Sequence, residues 1–400
     1  MILEKILEIP EDFLELKTVY GRYNEVVAVD GDKEIDTVMA NSEQFSPLSL
    51  KAYVEYIRKI VSGQAERAFI ALNLYPTLDC NNRCVHCYAV KSSPSGIKYL
   101  GLDKINSLLV DLAREGVLNP RVLGGGEATL HQNIGKILKD LNTVGFATTL
   151  ITNGTDIKDL TGMIVDNVKL IRISLDGADE MSRYYMHRVK DFKGVIKSLK
   201  DLKQKTDARN DPYQHLGITY IIKKENMHLV FQSAEIARDL GLDSISYRIH
   251  KEMTPTYFNE SEREDISAQL RKAETQFKRD IAILRRFYIN DISPFIYKPP
   301  EDGVCLTKKL RFLINSDGSV QTCNSYNFEE AWNYGNINRQ SFAEIVNSDK
   351  VFKIINRKHN VPCPSVCCLK HANEVFYFIA KNLRQNSKIK FITRYNPTRG

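Results

Sequence analysis

Six short β-rich runs, each followed by a segment of helical period, constrain this chain more than any other feature. The runs are Phe69–Leu78, Arg121–Leu123, Thr148–Thr152, Val168–Leu175, Leu216–Ile222 and Ser244–Ile249. Behind them, Leu102, Ile105, Leu109 and Leu112 recur at three- and four-residue steps. Ile134, Ile137, Leu138 and Leu141 do the same, and so do Val230, Ala234, Ala237 and Leu240, with Gly241 placed just past the helix end. Parallel neighbours need a connection of helix length, so six β–α units in succession predict an α/β fold with a parallel sheet. Ligands of such folds gather at the carboxyl ends of the strands.

A chain of 400 residues suggests two or three domains, and 43% apolar with 26% charged residues excludes disorder, collagen and coiled coil as its class. No stretch approaches the ~18 uninterrupted apolar residues of a bilayer crossing. The start, MILEKILEIPEDFLEL, has acids inside its apolar run and no small-residue cleavage site, so a cytoplasmic protein without a membrane partner is expected. Subtracting 49 acids from 56 bases leaves +7, with the Lys and Arg spread along the chain; this reads as a solvated basic face, and nucleic acid is not the expected partner. In a reducing compartment, eight cysteines point to metal or redox chemistry rather than disulfides. They fall in two groups: Cys80, Cys84 and Cys87, then Cys305, Cys323, Cys363, Cys367 and Cys368. Two metal-type centres in two domains is the simplest partition.

The remaining organisation is coarser. Ile266, Leu270, Ala273, Phe277, Ile281 and Leu284 make one apolar stripe, predicting a single long helix over Ser261–Phe287. Pro294, Pro299 and Pro300 mark a boundary. Ser316-Asp317-Gly318-Ser319 between Arg311–Asn315 and Val320–Cys323 predicts a hairpin, followed by helices near Ser341–Ser348 and Val375–Leu383. Strands at Leu14–Tyr20 and Glu25–Val29 and a helix at Leu48–Val61 form a small N-terminal module, 1–66, ahead of domains at 67–290 and 300–385. The polar tail, 386–400, is expected to fray.

Cys80-Asn-Asn-Arg-Cys84-Val-His86-Cys87 is a C-x3-C-x2-C loop directly after the first of the six strands. Three thiolates on one short loop can hold three corners of a cubane cluster and leave the fourth iron open to an external ligand. The alternative is a closed Cys3His zinc site completed by His86, a cramped arrangement. The next strand ends in Gly124-Gly125-Gly126-Glu127, where glycines let backbone approach a ligand and a carboxylate can bind an ammonium; no Lys-Ser/Thr follows to make a phosphate loop. The third ends in Thr152-Asn153-Gly154 and the fourth in Ser174-Leu175-Asp176-Gly177. Each alone could be ordinary turn chemistry. Together they place polar residues at four strand ends on the face where Cys80 lies.

Over about residues 70 to 290 the chain resembles the radical S-adenosylmethionine (radical SAM) superfamily, through the cysteine loop, Gly125–Glu127, Ser174 with Asp176, and Asn153. The resemblance implies a partial (β/α)6 barrel. It implies that Cys80, Cys84 and Cys87 ligate a [4Fe–4S] cluster whose fourth iron is completed by the amino and carboxyl groups of SAM. Glu127 with the Gly125–Gly126 backbone would hold the methionyl amino group, Ser174 and Asp176 the ribose, and His86 the adenine through its backbone. Asn153 belongs to the same cofactor site. Ala128 stands where the family often has proline, and Arg188 is the candidate for the SAM carboxylate. The implied chemistry is reductive cleavage of SAM to a 5′-deoxyadenosyl radical that takes hydrogen from a substrate C–H bond.

Cys305, Cys323, Cys363 and the Cys367–Cys368 pair, around the hairpin, resemble the SPASM/twitch extensions of that family. Four or five cysteines imply one auxiliary [4Fe–4S] cluster, assisting electron transfer, with either Cys367 or Cys368 as a ligand; a zinc-ribbon-like site is the alternative. Three functions follow as expectations. The first is a radical SAM maturase acting on a peptide, the N-terminal module serving as an adaptor or only as a cap. The second is a dehydrogenase or rearrangement enzyme of a small carbohydrate, aminocyclitol or nucleotide. The third is a zinc-stabilised nucleic-acid-binding protein. Either enzyme reading calls for a reductase partner such as flavodoxin or ferredoxin.

Overall fold

The computed structural model describes residues 14–20, 25–30, 33–34, 47–87, 96–211, 213–249, 257–277, 279–285, 287–288, 293–294, 305–357, 370–387 and 389–395. In chain order, strands β1 (Leu14–Tyr20), β2 (Glu25–Asp30) and β3 (Lys33–Glu34) precede helix α1 (Pro47–Val61). The β–α series follows: β4 (Ala71–Leu74), α2 (Leu102–Arg114), β5 (Asn119–Val122), α3 (Ile134–Val144), β6 (Thr149–Thr152), α4 (Thr161–Asn167), β7 (Leu170–Ser174), α5 (Glu180–His187), α6 (Phe192–Arg209), β8 (His215–Ile222), α7 (Val230–Asp239), β9 (Ser244–Ile249), α8 (Glu260–Phe277) and β10 (Ala282–Arg285). A two-stranded ribbon, β11 (Phe287–Tyr288) and β12 (Ser293–Pro294), leads to the C-terminal part. There α9 (Thr307–Leu310), β13 (Arg311–Ile314), β14 (Ser319–Gln321), β15 (Asn333–Asn336), α10 (Phe342–Val346), α11 (Asp349–Asn356), α12 (Lys370–Arg384) and β16 (Ile389–Tyr395) complete the chain.

Strands β4 to β10 lie side by side in sequence order and all run parallel, the mixed α/β core that the six β–α units predict. Alternation along each strand sends one set of side chains to the helices: Leu72, Val122, Leu150, Ile171, Ile218 and Ile245 join one core with Ile105, Leu138, Leu199 and Ala234. Every loop following a strand therefore opens at the same end. Gly241, with φ +65°, ends α7 as the sequence predicts.

Three sequence expectations are corrected. The segment after β9 is not one helix to Phe287: α8 stops at Phe277, and Ala282–Arg285 becomes a seventh parallel strand beside β9. Ile281 and Leu284 continue the helical three-residue step, but Ala282 and Leu284 also alternate with Ile283. A two-sided packing site next to β9 selects the strand. The tail does not fray over its whole length, because β16 is inserted between β1, parallel, and β2, antiparallel. Its Ile-x-Phe-x-Thr-x-Tyr alternation carries a strand signal that an overall polar composition hides.

Nor does the N-terminal module stand apart. Leu50, Tyr53, Val54 and Ile57 of α1 pack with Val375, Phe376 and Ile379 of α12 and with Ile70 beside β4. The C-terminal part also continues the main sheet, β13 running parallel to β4 with Phe312 opposite Leu72, and then β14 and β15 antiparallel. No helix among the described residues is long and apolar enough to cross a membrane.

Candidate active site at the mouth of the parallel sheet

The loop from Tyr75 to Cys87 leaves the carboxyl end of β4 and is tied down from two sides. On one side it meets the glycine turn after β5, where Gly126 N–H donates to Thr77 O (3.1 Å) and Glu127 N–H to Asp79 O (2.7 Å). A Cβ on Gly126 would fall 2.1 Å from Asp79 O and 2.4 Å from Leu78 C, both backbone atoms that cannot swing aside. Gly126→Ala is accordingly expected to push the two loops apart and destabilise the protein by about 1–3 kcal/mol, the cost of overpacking, read as a lower urea midpoint. On the other side Arg83 N–H donates to His187 O and Val85 N–H to Met186 O, each at 3.0 Å, at the end of α5.

Polar side chains complete the frame. Glu127 is buried; its Oε1 accepts from Thr129 N–H (3.1 Å) and Thr129 Oγ1 (2.8 Å), and its Oε2 from Asn153 N–H (2.7 Å). Asn153 Nδ2 donates to Asn81 Oδ1 (2.7 Å), and Thr155 Oγ1 to Asn82 Oδ1 (3.2 Å), joining the β6 end to the cysteine loop. Cys84 Sγ and Asn82 Nδ2 lie 3.2 and 3.1 Å from His187 Nδ1. His187 Nε2 faces Asp176 Oδ2 at 3.1 Å, and Asp176 Oδ1 accepts from Ile221 N–H at 2.7 Å. Burial pushes the Asp176 carboxyl up, but His187, the nearby His86 and the Ile221 N–H outweigh it and hold it below the ordinary carboxylate range.

Cys80, Cys84, Cys87, Glu127, Gly125, Gly126, Asn153, His86 and Asp176 are thus brought to one mouth. Asp176, Arg188 and Ser174 each have partners within the chain. Asp176 is only 1% exposed, its Oδ2 facing His187 Nε2 and its Oδ1 accepting from Ile221 N–H, so it orients the His187 ring. Arg188 caps α5 at φ +61° with its guanidinium over the Tyr185 ring, 4.9 Å from the centroid. Ser174 closes β7, half-buried, its carbonyl accepting from Arg183 Nη1 at 2.8 Å.

Sequence reading missed Arg183 and His187. Both lie on the inner face of α5, with Met186 between them in phase, and the only local signal is the Asp179/Ser182 capping box that fixes where that helix starts.

The donor set fits a multi-iron cluster. Burial pushes the Cys84 thiol up, with Asp176, Cys87 and Cys80 adding; burial also raises Cys80, with Glu127 and Cys87 adding against a hydrogen bond from Asn82 N–H. The three sulfurs therefore sense one another. Among the described residues no three His, Cys, Asp or Glu side chains converge on a single metal ion, and His86 turns to Asp176, its Nε2 at 3.5 Å from Oδ2.

In the C-terminal part, buried Cys305 accepts from Asn373 Nδ2 (3.1 Å), and burial raises the Tyr334 phenol against a hydrogen bond with Thr322, with Cys323 and Cys305 adding to the rise. Cys363, Cys367 and Cys368 lie outside the described residues.

A thiol-rich loop at the open end of a parallel α/β sheet, with a second cysteine domain continuing that sheet, defines an iron–sulfur enzyme class. Residues 74–235 match the radical SAM superfamily model and residues 305–371 the iron–sulfur cluster-binding domain SPASM. The chain belongs to the radical SAM superfamily and carries a C-terminal SPASM domain. Its cofactors are a SAM-binding [4Fe–4S] cluster, SAM and auxiliary iron–sulfur. It is 24% identical over 261 residues to a probable GTP 3′,8-cyclase of Sulfolobus acidocaldarius, covering 63% of this chain and 80% of that one. It shares the fold of Streptococcus suis SuiB bound to S-adenosylmethionine (TM-score 0.59, 17% identity, 78% of this chain and 74% of that). It also shares that of anSMEcpe bound to AdoMet and a Kp18Cys peptide (TM-score 0.54, 15% identity, 79% and 98%).

Proposed function

We propose that this radical SAM enzyme modifies a peptide, holding its SAM-binding cluster on Cys80, Cys84 and Cys87. When bound, cluster and SAM together supply an organic radical able to take hydrogen from an unactivated C–H bond. The observation that carries the site is the clamping of one three-thiol loop between Gly126–Glu127 and the end of α5.

The chain's own residues then bind and position. A carboxylate offers about four acceptor sites; three on Glu127 are engaged, leaving Oε2 able to accept from the methionyl ammonium. The Gly125–Gly126 backbone borders that position, Asn153 fixes the Glu127 carboxylate through its N–H, and Ser174 at the neighbouring strand end is placed for the ribose. The backbone at His86 borders the adenine. Asp176 holds the His187 ring against Cys84. Cys305, Cys323, Cys363 and one of Cys367 and Cys368 hold auxiliary iron–sulfur, which assists electron transfer.

Support for a peptide comes from the enzymes sharing this fold, since SuiB is also known bound to its precursor peptide SuiA. It comes too from β1, which among the described residues pairs on one side only, with β16, and so offers an edge for an added strand.

One observation favours a nucleotide instead. Val122, Ile171, Ile173, Tyr247 and Ile249 face the helices, so Arg121, Arg172 and Arg248 project to the opposite face, and the seven parallel strands contain no Asp or Glu. Such a face suits phosphate, the substrate chemistry of the GTP 3′,8-cyclase relatives. The test is anaerobic reconstitution, then reduction with dithionite and SAM in the presence of deuterated candidates. Deuterium reaching 5′-deoxyadenosine from a peptide supports the first reading. Deuterium arriving only from GTP replaces it with the second, and no 5′-deoxyadenosine under any condition overturns both.

A further inference from the structure

The outer face of α5 carries a patch that the chemistry above does not use. Met181 is 76% exposed, Tyr184 39% and Tyr185 38%, three large apolar side chains on one helix at i, i+3 and i+4. Arg188 and Lys190, just beyond the helix, are exposed, as is Lys193 at the start of α6. The Arg188 guanidinium lies over Tyr185, and Lys190 Nζ is 5.6 Å from the Tyr184 centroid. Of the neighbouring acids, Asp179 accepts from Ser182 N–H at 2.7 Å and Glu225 from the Tyr185 hydroxyl at 3.3 Å, while Glu180 is half-buried in the first turn of the helix. The inner face of the same helix holds the cysteine loop, with His187 against Cys84 and the Met186 and His187 carbonyls bonded to Val85 and Arg83. One helix therefore separates this cationic, aromatic surface from a cluster ligand.

We propose that this patch is where an acidic flavodoxin-type carrier docks to deliver the electron that activates the cluster. The inference rests on the cluster reading of Cys80, Cys84 and Cys87. Charge complementarity selects an acidic partner and steers its approach. The small area suits the brief encounters of electron-transfer proteins, which sit at the low end of interface sizes. The exposed tyrosines and Met181 offer an apolar contact for the edge of a flavin. In the step itself one electron leaves the flavin hydroquinone, which is thereby oxidised by one electron. The cluster is reduced from its 2+ to its 1+ state, and no atom is transferred.

The test compares wild type with Lys190→Glu/Lys193→Glu, both reconstituted, following bleaching of the visible cluster band with either flavodoxin hydroquinone or dithionite. Dithionite is expected to reduce both proteins at the same rate. Flavodoxin is expected to reduce the double variant at least about tenfold more slowly at low salt, the scale of lost steering. That difference should vanish at about 1 M salt, where screening reaches ~3 Å. Equal rates with flavodoxin at low salt would overturn the proposal, as would slower reduction by dithionite, which places the change in the cluster. A ferredoxin that reduces wild type where flavodoxin does not also overturns it. So does an oligonucleotide held by the same two lysines while flavodoxin rates stay equal. A wild-type protein with no dithionite-reducible cluster would instead remove the site reading on which this rests.

Discussion

Cys84→Ala is expected to yield a folded protein that retains no SAM-responsive cluster and forms no 5′-deoxyadenosine. Three thiolates fix three irons, and a loop with two cannot hold the cubane against exchange. The fold should survive because Cys84, raised by burial and by its charged neighbours, is a neutral thiol before metal arrives, so its loss resembles a modest core truncation. Iron and labile sulfide assays on the SPASM-intact variant, beside far-ultraviolet circular dichroism, separate these effects. Iron should fall to what the C-terminal domain binds, with the spectrum of the fold unchanged.

The same raised thiols give loading a pH dependence of defined sign. Metal must displace protons from Cys80 and Cys84, so reconstitution should release protons and strengthen as pH rises from neutral. Cys84→Ala retaining full cluster and SAM cleavage would remove the loop from the mechanism.

Arg183→Met should cost about 3–5 kcal/mol, the penalty for breaking a buried ion pair from one side. Arg183 is fully buried; its Nε donates to Asp191 Oδ1 at 2.7 Å, Nη1 to the Ser174 and Leu175 carbonyls, and Nη2 to the Asn153 carbonyl at 2.9 Å. One guanidinium thereby joins the ends of β6 and β7, where Asn153 and Ser174 must be held for SAM.

Burial pushes the Asp191 carboxyl up, while Arg183, Thr155 and the His187 charge pull it further down, leaving it below the ordinary range. A carboxylate depressed in the folded state contributes stability that is complete above its unfolded value, about 3.9, and disappears as pH falls through the folded value. The gap between wild type and Arg183→Met should therefore be widest near neutrality and narrow below about pH 4. Urea titrations at both pH values measure it; equal gaps would show that the lost carbonyl bonds, not the charge pair, set the cost.

The two arginines of the α5 region show what a sequence exposes and what it conceals. Arg188 follows the Ser-x-Asp strand end and so draws notice, yet helix phase groups it with Met181, Tyr184 and Tyr185 on the solvent side. Arg183 shares the opposite face with Met186 and His187, and its partners lie on three separate segments that no local pattern links. Strand β9 is legible to the residue, Ser244–Ile249, because both its ends carry polar breaks and its interior alternates. β10 and β16 escape because their pairing depends on what lies beside them in space. The cysteine loop and glycine turn are legible because backbone approach and thiolate spacing are local requirements, whereas the role of Asp176 depends on His187, which arrives from the next helix.

The parallel pairing of β1 with β16 has a consequence for biosynthesis. β1 leaves the ribosome with its hydrogen-bonding neighbour still untranslated, and it must wait until residues 389–395 have been made. The parallel sheet can consolidate before then, but the β1–β16 pairing closes only once the later of its two strands has emerged, making that closure the slow, high-contact-order event in maturation.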